Sequence, residues 1–181
     1  MTLQLEDNIW CFKIVIAGEA SVGKTTLVNQ YIAGKFTSEY KATIGVDIFT
    51  KEVAIEKDNE EVTVKLLVWD IAGQALFRGF RKRFFTNAQS GLLVYDLTLP
   101  SSLTRLSSWM KDINDVIQNP IPVILIGNKM DLEELITVSS EDVTSFNEKY
   151  PNIVASYNTS ALTGENVEKT FATIISHLIG N

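Results

Sequence analysis

The sequence predicts an α/β fold in which a mostly parallel β-sheet carries helices on both faces. Five apolar runs have the length and composition of buried strands, and helical patterns fill the intervals between most of them. Strands that alternate with helices are joined by right-handed crossovers, which make the sheet parallel. With one added hairpin strand, we expect six strands, one antiparallel edge pair, about five helices and a single domain over residues 1–181.

The individual elements follow from these patterns. Buried strands are expected at residues 12–17, 64–69, 92–95, 123–126 and 153–155. Residues 46–56 and 62–70 alternate around a polar turn and predict the antiparallel hairpin. Helices are expected at residues 25–33, 102–117, 140–149 and 165–178, with Ser101 and either Ser139 or Ser140 as N-caps. Residues 34–45 and 71–90 fit no regular element, and irregular segments of that length are usually functional.

Composition limits the classes of partner. The formal net charge of -6 argues against a general affinity for nucleic acid or anionic membrane, because polyanions are repelled on average. The single cysteine, Cys11, cannot form an internal disulfide and fits a reducing cytosol. No apolar segment approaches the length of a membrane span, and the first residues lack a secretory pattern. We expect a cytoplasmic monomer.

A phosphate-binding loop follows the first predicted strand. Residues 18–25 are Gly-Glu-Ala-Ser-Val-Gly-Lys-Thr, and they open a predicted helix, which is the context that this motif requires. Its backbone N–H groups and the helix N-terminus attract phosphate, Lys24 adds a point charge, and Thr25 offers a hydroxyl to Mg²⁺. The alternative, a Gly-rich turn without a ligand, is disfavoured by this context. The expected nucleotide contacts are Gly18, Glu19, Ala20, Ser21, Val22, Gly23, Lys24, Thr25 and Thr26.

Two further segments fit the recognition of a guanine base. Asn128-Lys129-Met130-Asp131 follows a predicted strand, and the Asp131 carboxylate can accept from the ring N–H and the amine of guanine. Adenine would leave that charged acceptor unpaired at a cost of roughly 1–3 kcal/mol. A backbone N–H in residues 159–161 could reach the guanine carbonyl oxygen. Taken alone, the first segment reads better as a surface turn and the second as plain loop.

A third constellation fits γ-phosphate chemistry. Asp70 closes a predicted strand and can hold Mg²⁺ through water, and Thr43 can supply a second hydroxyl to the metal. Gly73 can offer its N–H to the γ-phosphate, and Gln74 can orient the attacking water. The alternative for such a strand-end carboxylate is a cap or a surface residue.

Together these motifs resemble those of Ras-superfamily small GTPases over residues 12–179, and most closely those of the Rab branch. The similarity is carried by residues 42–47, 69–74, 93–98 and 159–167 in addition to the phosphate loop. The resemblance implies a P-loop NTPase G domain that acts as a GDP/GTP switch and hydrolyses Mg-GTP. The catalytic residues by this resemblance are Gln74, Lys24, Thr43 and Gly73, and the base contacts are Phe36, Lys129, Ser160, Ala161 and Leu162, with Tyr40 closing over the phosphates.

The resemblance also implies protein partners. Effectors, an exchange factor and a GAP are expected to bind through the segments 36–47 and 70–86. No arginine lies in the first of these segments, so an internal arginine finger is not expected. Intrinsic turnover should then be on the order of 10⁻⁴ to 10⁻³ per second, and the GAP would supply the missing charge.

Some positions depart from the family pattern. Ala20 places a methyl group toward the γ-phosphate where Ras has glycine, Ala75 replaces the usual glutamate, and Leu162 replaces a common lysine. These changes keep a second hypothesis open, a pseudo-GTPase that binds nucleotide without significant turnover. A third, a P-loop kinase, lacks a visible lid insertion.

Two surface features complete the sequence reading. Arg78, Arg81, Lys82 and Arg83 form a basic cluster, which is either a solvated face or a docking site for an acidic partner. The last residues contain no cysteine that could take a prenyl group, so no membrane anchor is expected in this chain.

Overall fold

The computed structural model describes residues 3–4, 8–36, 42–77 and 79–180. Its strands are β1 (Leu3–Gln4), β2 (Ile9–Ala17), β3 (Val46–Lys57), β4 (Glu60–Ile71), β5 (Ser90–Asp96), β6 (Val123–Asn128) and β7 (Ile153–Thr159). Its helices are α1 (Lys24–Ala33), α2 (Lys82–Phe85), α3 (Pro100–Val116), α4 (Ser140–Lys149) and α5 (Val167–Ile179), and Ala75–Phe77 and Glu133–Leu135 form short 3₁₀ turns. None of the helices in these described ranges combines the length and apolar character needed to cross a bilayer.

The six long strands form one sheet in the order β3-β4-β2-β5-β6-β7. β3 and β4 pair antiparallel at one edge, and the other four pairs are parallel. The predicted α/β fold is therefore confirmed. The structure adds β1, whose two residues pair antiparallel with β2. A strand of two residues is too short to leave a hydrophobic pattern in the sequence.

Each face of the sheet carries its own hydrophobic core. On one face α1 and α5 pack through buried aliphatic and aromatic side chains, among them Leu27, Val28 and Phe171. On the other face α3 contributes Trp109 and Met110. β5 and β6 are buried along their whole length, as central parallel strands covered on both faces should be.

An aromatic pair joins the two helices of the first face. The ring of Tyr31, in the last turn of α1, stacks on Phe171 of α5 with centroids 3.7 Å apart and planes 2° from parallel. The Lys51 ammonium of β3 lies 3.7 Å from the centroid of the same Tyr31 ring and donates to the Tyr31 carbonyl oxygen at 2.6 Å. Residues from α1, α5 and β3 are thereby held together.

The N-cap predicted for α4 is confirmed, and the N-cap predicted for α3 is not. Ser139 caps α4, accepting from the Asp142 amide while the Asp142 carboxylate accepts from the Ser139 amide. The expected cap at Ser101 is wrong, because α3 already begins at Pro100 and Leu99 is its N-cap. Proline is favoured in the first helical turn, where its missing N–H costs nothing.

The topology gathers the loops that carry chemistry at one edge. Because β2, β4, β5, β6 and β7 run in the same direction, their carboxyl ends meet there. Ligands of open parallel sheets bind beyond these ends. The residues that follow β4 are tied to the start of β3, since the Ala72 amide donates to the Gly45 carbonyl oxygen at 3.0 Å.

Candidate nucleotide-binding site

Residues 18–23 turn the chain from β2 into α1 and leave the helix N-terminus open to a ligand. Gly23 is the N-cap residue with a φ of 97°, a left-handed conformation that favours glycine. A Cβ atom at this position would lie 2.3 Å from the Asn128 side-chain nitrogen. Glycine is therefore required both by the turn and by its neighbour. The positive end of α1 points at the space enclosed by the loop.

Lys24 is a buried cation held inside this loop. Only 6% of its surface is exposed, and its ammonium donates to the carbonyl oxygens of Gly18 at 2.9 Å and Glu19 at 2.8 Å. Burial lowers the pKa of the Lys24 ammonium to about 8, although Asp70 and Glu19 oppose the shift. The arrangement places a positive charge on the wall of the space beside the loop.

Three oxygen-bearing side chains meet beside Lys24. The hydroxyls of Thr25 and Thr43 lie 3.1 Å apart, and both donate toward one carboxylate oxygen of Asp70, with the Thr43 contact at 3.3 Å. These residues come from α1, from the segment before β3 and from β4. Hydroxyl and carboxylate oxygens are the ligand types that Mg²⁺ accepts, with the remaining positions usually filled by water and phosphate.

The second carboxylate oxygen of Asp70 is available to bind a cation. Asp70 is completely buried, and its Oδ1 has no hydrogen-bond partner among the described residues. Burial raises the pKa of the Asp70 carboxyl, with the Thr25 hydroxyl and the Lys24 ammonium acting against this shift. An unpaired oxygen of a buried carboxyl is costly unless a cation or an ordered water satisfies it. The residues present fit a divalent cation.

Gly73 and Gln74 lie directly against the phosphate loop. A Cβ atom at Gly73 would be 2.4 Å from the Ala20 amide nitrogen, so only glycine permits this approach. The side-chain oxygen of Gln74 is buried without a partner in the described part of the chain. The segment after β4 therefore touches the loop that would hold phosphate.

Asn128 connects the two ends of the site. Its amide nitrogen donates to the Val22 carbonyl oxygen at 2.9 Å, and its oxygen accepts from the Ala161 amide at 3.1 Å and the Thr159 hydroxyl at 3.2 Å. Asn128 is buried at the end of β6. An incoming base carbonyl would have to share the Ala161 N–H with it.

Asp131 is fixed by the neighbouring loop. The Ser160 hydroxyl donates to Asp131 Oδ1 at 2.5 Å, and the same hydroxyl oxygen accepts from the amides of Leu162 and Thr163 at 3.2 and 3.1 Å. This leaves the second carboxylate oxygen of Asp131 for other donors. The two segments assigned to the base thus meet as one loop pair.

Lys129 has a partner that the sequence did not indicate. Its ammonium lies 2.6 Å from the carboxylate of Asp96, at the end of β5. Although burial opposes it, hydrogen bonds from Lys129 and Thr98 lower the pKa of the Asp96 carboxyl. The Lys129 side chain is thereby directed along the mouth of the site.

A cavity of about 440 Å³ lies beside the phosphate loop and the start of α1, with Lys129 on its wall. Ten of the predicted site residues line it: Ala20, Ser21, Gly23, Lys24, Thr25, Thr26, Thr43, Gly73, Gln74 and Lys129. Sequence reasoning missed Asn29, Ala42, Asp47 and Phe49, which complete its wall. Asp47 could have been found from the hairpin register, because it pairs directly with Asp70.

The other predicted contacts do not line this cavity, among them Gly18, Val22, Asn128, Asp131, Ser160 and Ala161. Phe36 and Leu162 are about half exposed and do not line it. The Glu19 side chain is turned away toward α3, where it accepts from Arg105 and Trp109. Tyr40 lies outside the described residues.

The described members of the basic cluster, Arg81, Lys82 and Arg83, differ in exposure. Arg81 is only 3% exposed and pairs with Asp112, while Lys82 pairs with Asp115 at 2.7 Å. Arg83 is exposed, and Arg78 lies outside the described residues. Both readings of the cluster, a solvated face and a docking site, are therefore wrong for Arg81, whose charge faces inward.

The chain is similar to known proteins over nearly its whole length. The model of the Ras family matches residues 13–180. The chain is 38% identical to "Ras-related protein RABA2a" of Arabidopsis thaliana over 96% of its own length and 77% of that protein. It is 37% identical to "Ras-related protein Rab-30" of Homo sapiens over 98% of its length and 84% of that protein. It is 35% identical to "Ras-related protein Rab-11C" of Dictyostelium discoideum over 98% of its length and 78% of that protein.

Proposed function

The chain belongs to the Ras family of small GTPases, and we propose that the cleft at the carboxyl edge of its sheet binds Mg-GTP and governs two switch segments. It is a Rab-like, GTP-binding molecular switch that hydrolyses GTP to GDP. No observation favours the pseudo-GTPase or the kinase alternative.

One observation carries the assignment of the switch. Thr25, Thr43 and Asp70 belong to three separate elements, yet their oxygens converge within hydrogen-bonding distance. Thr25 and Thr43 would hold Mg²⁺ directly and Asp70 through water, and the bound ion would neutralise charge on the phosphate oxygens. Because Thr43 lies in an irregular segment, the presence or absence of the γ-phosphate would decide whether this segment is held in place.

The phosphates would lie over the α1 N-terminus. The backbone amides of residues 20–25 and the Lys24 ammonium would bind the β- and γ-oxygens, with the Gly73 amide reaching the γ-phosphate. Gln74 would orient the attacking water, which is consistent with its place on the cavity wall. Neither Thr43 nor Gln74 supplies a positive charge, so slow intrinsic turnover and a GAP arginine in trans remain our proposal.

The base would lie at the other end of the cleft. Asp131, anchored by Ser160, would accept from the guanine ring N–H and amine, and Lys129 would lie along the base. The main role of Asn128 would be to connect this loop pair to the phosphate loop through its hydrogen bonds to Val22 and Ala161. By the family resemblance, Phe36 and Leu162 would pack on the base and Tyr40 would close over the phosphates.

Protein partners would bind beside the cleft. Four large apolar side chains are more than half exposed: Ile44, Ile48, Leu76 and Phe80. In the sequence they lie close to residues that line the cavity. Exposed apolar groups near a ligand site commonly mark a docking surface. We propose that effectors, an exchange factor and a GAP bind the segments 36–47 and 70–86 of a monomeric, cytoplasmic protein with a trafficking or signalling role.

Release of the bound nucleotide from purified protein tests the proposal. Denatured protein should yield GDP or GTP on ion-exchange chromatography, and EDTA should accelerate nucleotide loss from the native protein. Thr25→Asn should weaken Mg²⁺ and GTP binding and leave a GDP-biased protein. Thr104→Asn, an exposed position on α3, is the matched control. Normal GTP affinity in Thr25→Asn would remove Thr25 from the metal site.

A further inference from the structure

Arg81 is a buried cation between the exposed residues Phe80 and Lys82. Its Nε atom donates to Asp112 Oδ2 at 2.5 Å, and its Nη2 atom lies at the same distance from that oxygen. The same Nη2 also reaches the hydroxyl and the carbonyl oxygen of Ser108 at 3.2 and 3.3 Å. A charge is tolerated inside a protein only when it is paired, and loss of one partner leaves the other uncompensated.

The same guanidinium is stacked on the indole of Trp109. The centre of the guanidinium lies 3.8 Å from the ring centroid, and Trp109 is fully buried on α3. The indole N–H donates to a carboxylate oxygen of Glu19 at 3.2 Å, and Arg105 approaches the other oxygen at 3.4 Å. One side chain of α3 therefore touches both Arg81 and the phosphate loop.

Arg81 is also connected to Gln74 through backbone turns. The Phe77 amide donates to the Gln74 carbonyl oxygen at 3.0 Å, and the Arg81 amide donates to the Phe77 carbonyl oxygen at 3.1 Å. Among the described residues from 73 to 84, Arg81 alone is buried, whereas Leu76 and Phe80 are 81% and 57% exposed. Arg81 is thus the first buried contact with α3 after Gln74, and Lys82 and Phe85 add contacts to Asp115 and Trp109 further along the chain.

We infer that Arg81 is a positioning residue for GTP hydrolysis, acting through its contacts with Asp112 and Trp109. It fixes the turns that follow Gln74 on the helix that also holds Glu19 of the phosphate loop, so that Gln74 and the phosphate loop share one support. The inference rests on the proposed role of Gln74. Loss of this anchor lets Gln74 leave its place beside the γ-phosphate, while the residues that bind the nucleotide keep theirs.

Single-turnover hydrolysis of bound GTP, without any GAP, tests the inference. Arg81→Ala should lower the rate by about tenfold, because small misplacements of a catalytic group are costly. GDP affinity should stay within about twofold of the parent protein, since none of the Arg81 contacts reaches the base pocket or Lys24. Arg83→Ala is the matched control, because Arg83 is exposed and makes no ion pair among the described residues. Its rate should be unchanged.

A double-mutant cycle separates positioning from a general loss of stability. Asp112→Ala should slow hydrolysis to a similar extent, and the Arg81→Ala/Asp112→Ala protein should be no slower than Arg81→Ala alone. Arg81→Lys keeps the positive charge but loses the paired contacts with Asp112 and the stacking on Trp109. Its hydrolysis rate should lie between those of the parent protein and Arg81→Ala. If Arg81→Ala does not fold, this lysine variant carries the same comparison.

Several results would overturn the inference. A parental rate in folded Arg81→Ala, an equal loss of GDP affinity, or fully additive effects in the cycle would each do so. Gln74→Ala is measured in parallel. Slow hydrolysis in Gln74→Ala with normal hydrolysis in Arg81→Ala refutes the role of Arg81 and leaves the proposed function intact. Parental hydrolysis in Gln74→Ala refutes the proposed role of Gln74 instead.

Discussion

The side-chain amide of Asn128, at the end of β6, donates a 2.9 Å hydrogen bond to the backbone carbonyl of Val22 in the phosphate loop. The other end of the same amide accepts from Ala161 and Thr159. The loops assigned to the phosphates and to the base are therefore joined by one buried side chain, and the distance between them is set before a nucleotide arrives. Such preformed sites lose little entropy on binding.

Asn128→Ala should destabilise the nucleotide-free protein by about 3 kcal/mol, because it leaves buried donors and an acceptor without partners. Urea unfolding followed by circular dichroism measures this change. Asn114→Ala, at an exposed position of α3, should change the free energy of unfolding by less than about 0.5 kcal/mol. Equal stabilities of the two variants would show that the Asn128 bonds contribute nothing.

Gly73→Ala should impair hydrolysis and GTP binding more than GDP binding. The added Cβ atom would lie 2.4 Å from the Ala20 amide nitrogen and would push the segment away from the phosphate loop. Affinities for the two nucleotides and the single-turnover rate are measured together. Gly79→Ala lies in the same segment with no atom within 4 Å of its new Cβ, and it should behave as the parent does. Identical behaviour of both variants would contradict the contact.

Ala20→Gly should change the single-turnover rate more than nucleotide affinity. Ala20 lines the cavity with Gln74, so its methyl group occupies space beside the place that we propose for the attacking water. Rates from a quenched-flow or filter assay are compared with GDP affinities from fluorescence titration. Equal rates in the two proteins would remove any steric role for the methyl group.

Asp131→Asn should shift preference from guanine toward xanthine nucleotides. The amide of asparagine can donate to the xanthine carbonyl oxygen, where the carboxylate can only accept. The Ser160 hydroxyl can still donate to the new side-chain oxygen, so the loop pair should persist. Competition between GDP and XDP measures the preference, with Glu133→Gln as the exposed control. Unchanged guanine selectivity would mean that the base lies elsewhere.

Nucleotide binding should take up a proton in mildly alkaline solution. The pKa of Lys24 is lowered to about 8 by burial, whereas a free lysine titrates near 10.5. Between these values the unfolded chain holds a proton that the folded, nucleotide-free protein lacks, so this group makes stability rise with pH there. Bound phosphate favours the charged ammonium and restores the proton, and affinity should therefore fall as pH rises above about 8.

Calorimetric titration in buffers of different ionisation enthalpy measures that uptake. The number of protons taken up per GDP should be larger at about pH 8.5 than at about pH 7, where Lys24 is already charged. Uptake that does not depend on pH would contradict a lowered pKa for Lys24.

The strands and the phosphate loop could be predicted because their signals are local. Apolar runs mark β5 and β6, and glycine, lysine and threonine stand at fixed spacing in the loop. The inward orientation of Arg81 could not be predicted, since it depends on Asp112, which is 31 positions away in the sequence. A count of charges shows a basic cluster but not which members are neutralised by tertiary contacts.

In the predicted site, too, local motifs could be predicted and contacts between distant residues could not. Residues of the phosphate loop and of the segment after β4 line the cavity, because each motif contains its own geometry. The pairing of Lys129 with Asp96 and the turn of Glu19 toward α3 arise from side chains of separate elements. Ser101 failed as a cap because two rules competed, and proline in the first turn decided the start of α3.

The sandwich of Tyr31 between Phe171 and Lys51 constrains how a nucleotide can leave. α1 carries the phosphate loop at its first turn and is fastened at its last turn, so prying it from α5 would break a closely stacked pair. Release of the nucleotide by separation of α1 from α5 is therefore unfavourable. A catalyst of exchange would do better to displace Thr43, which lies in an irregular segment, and so remove a proposed Mg²⁺ ligand while the base is still bound.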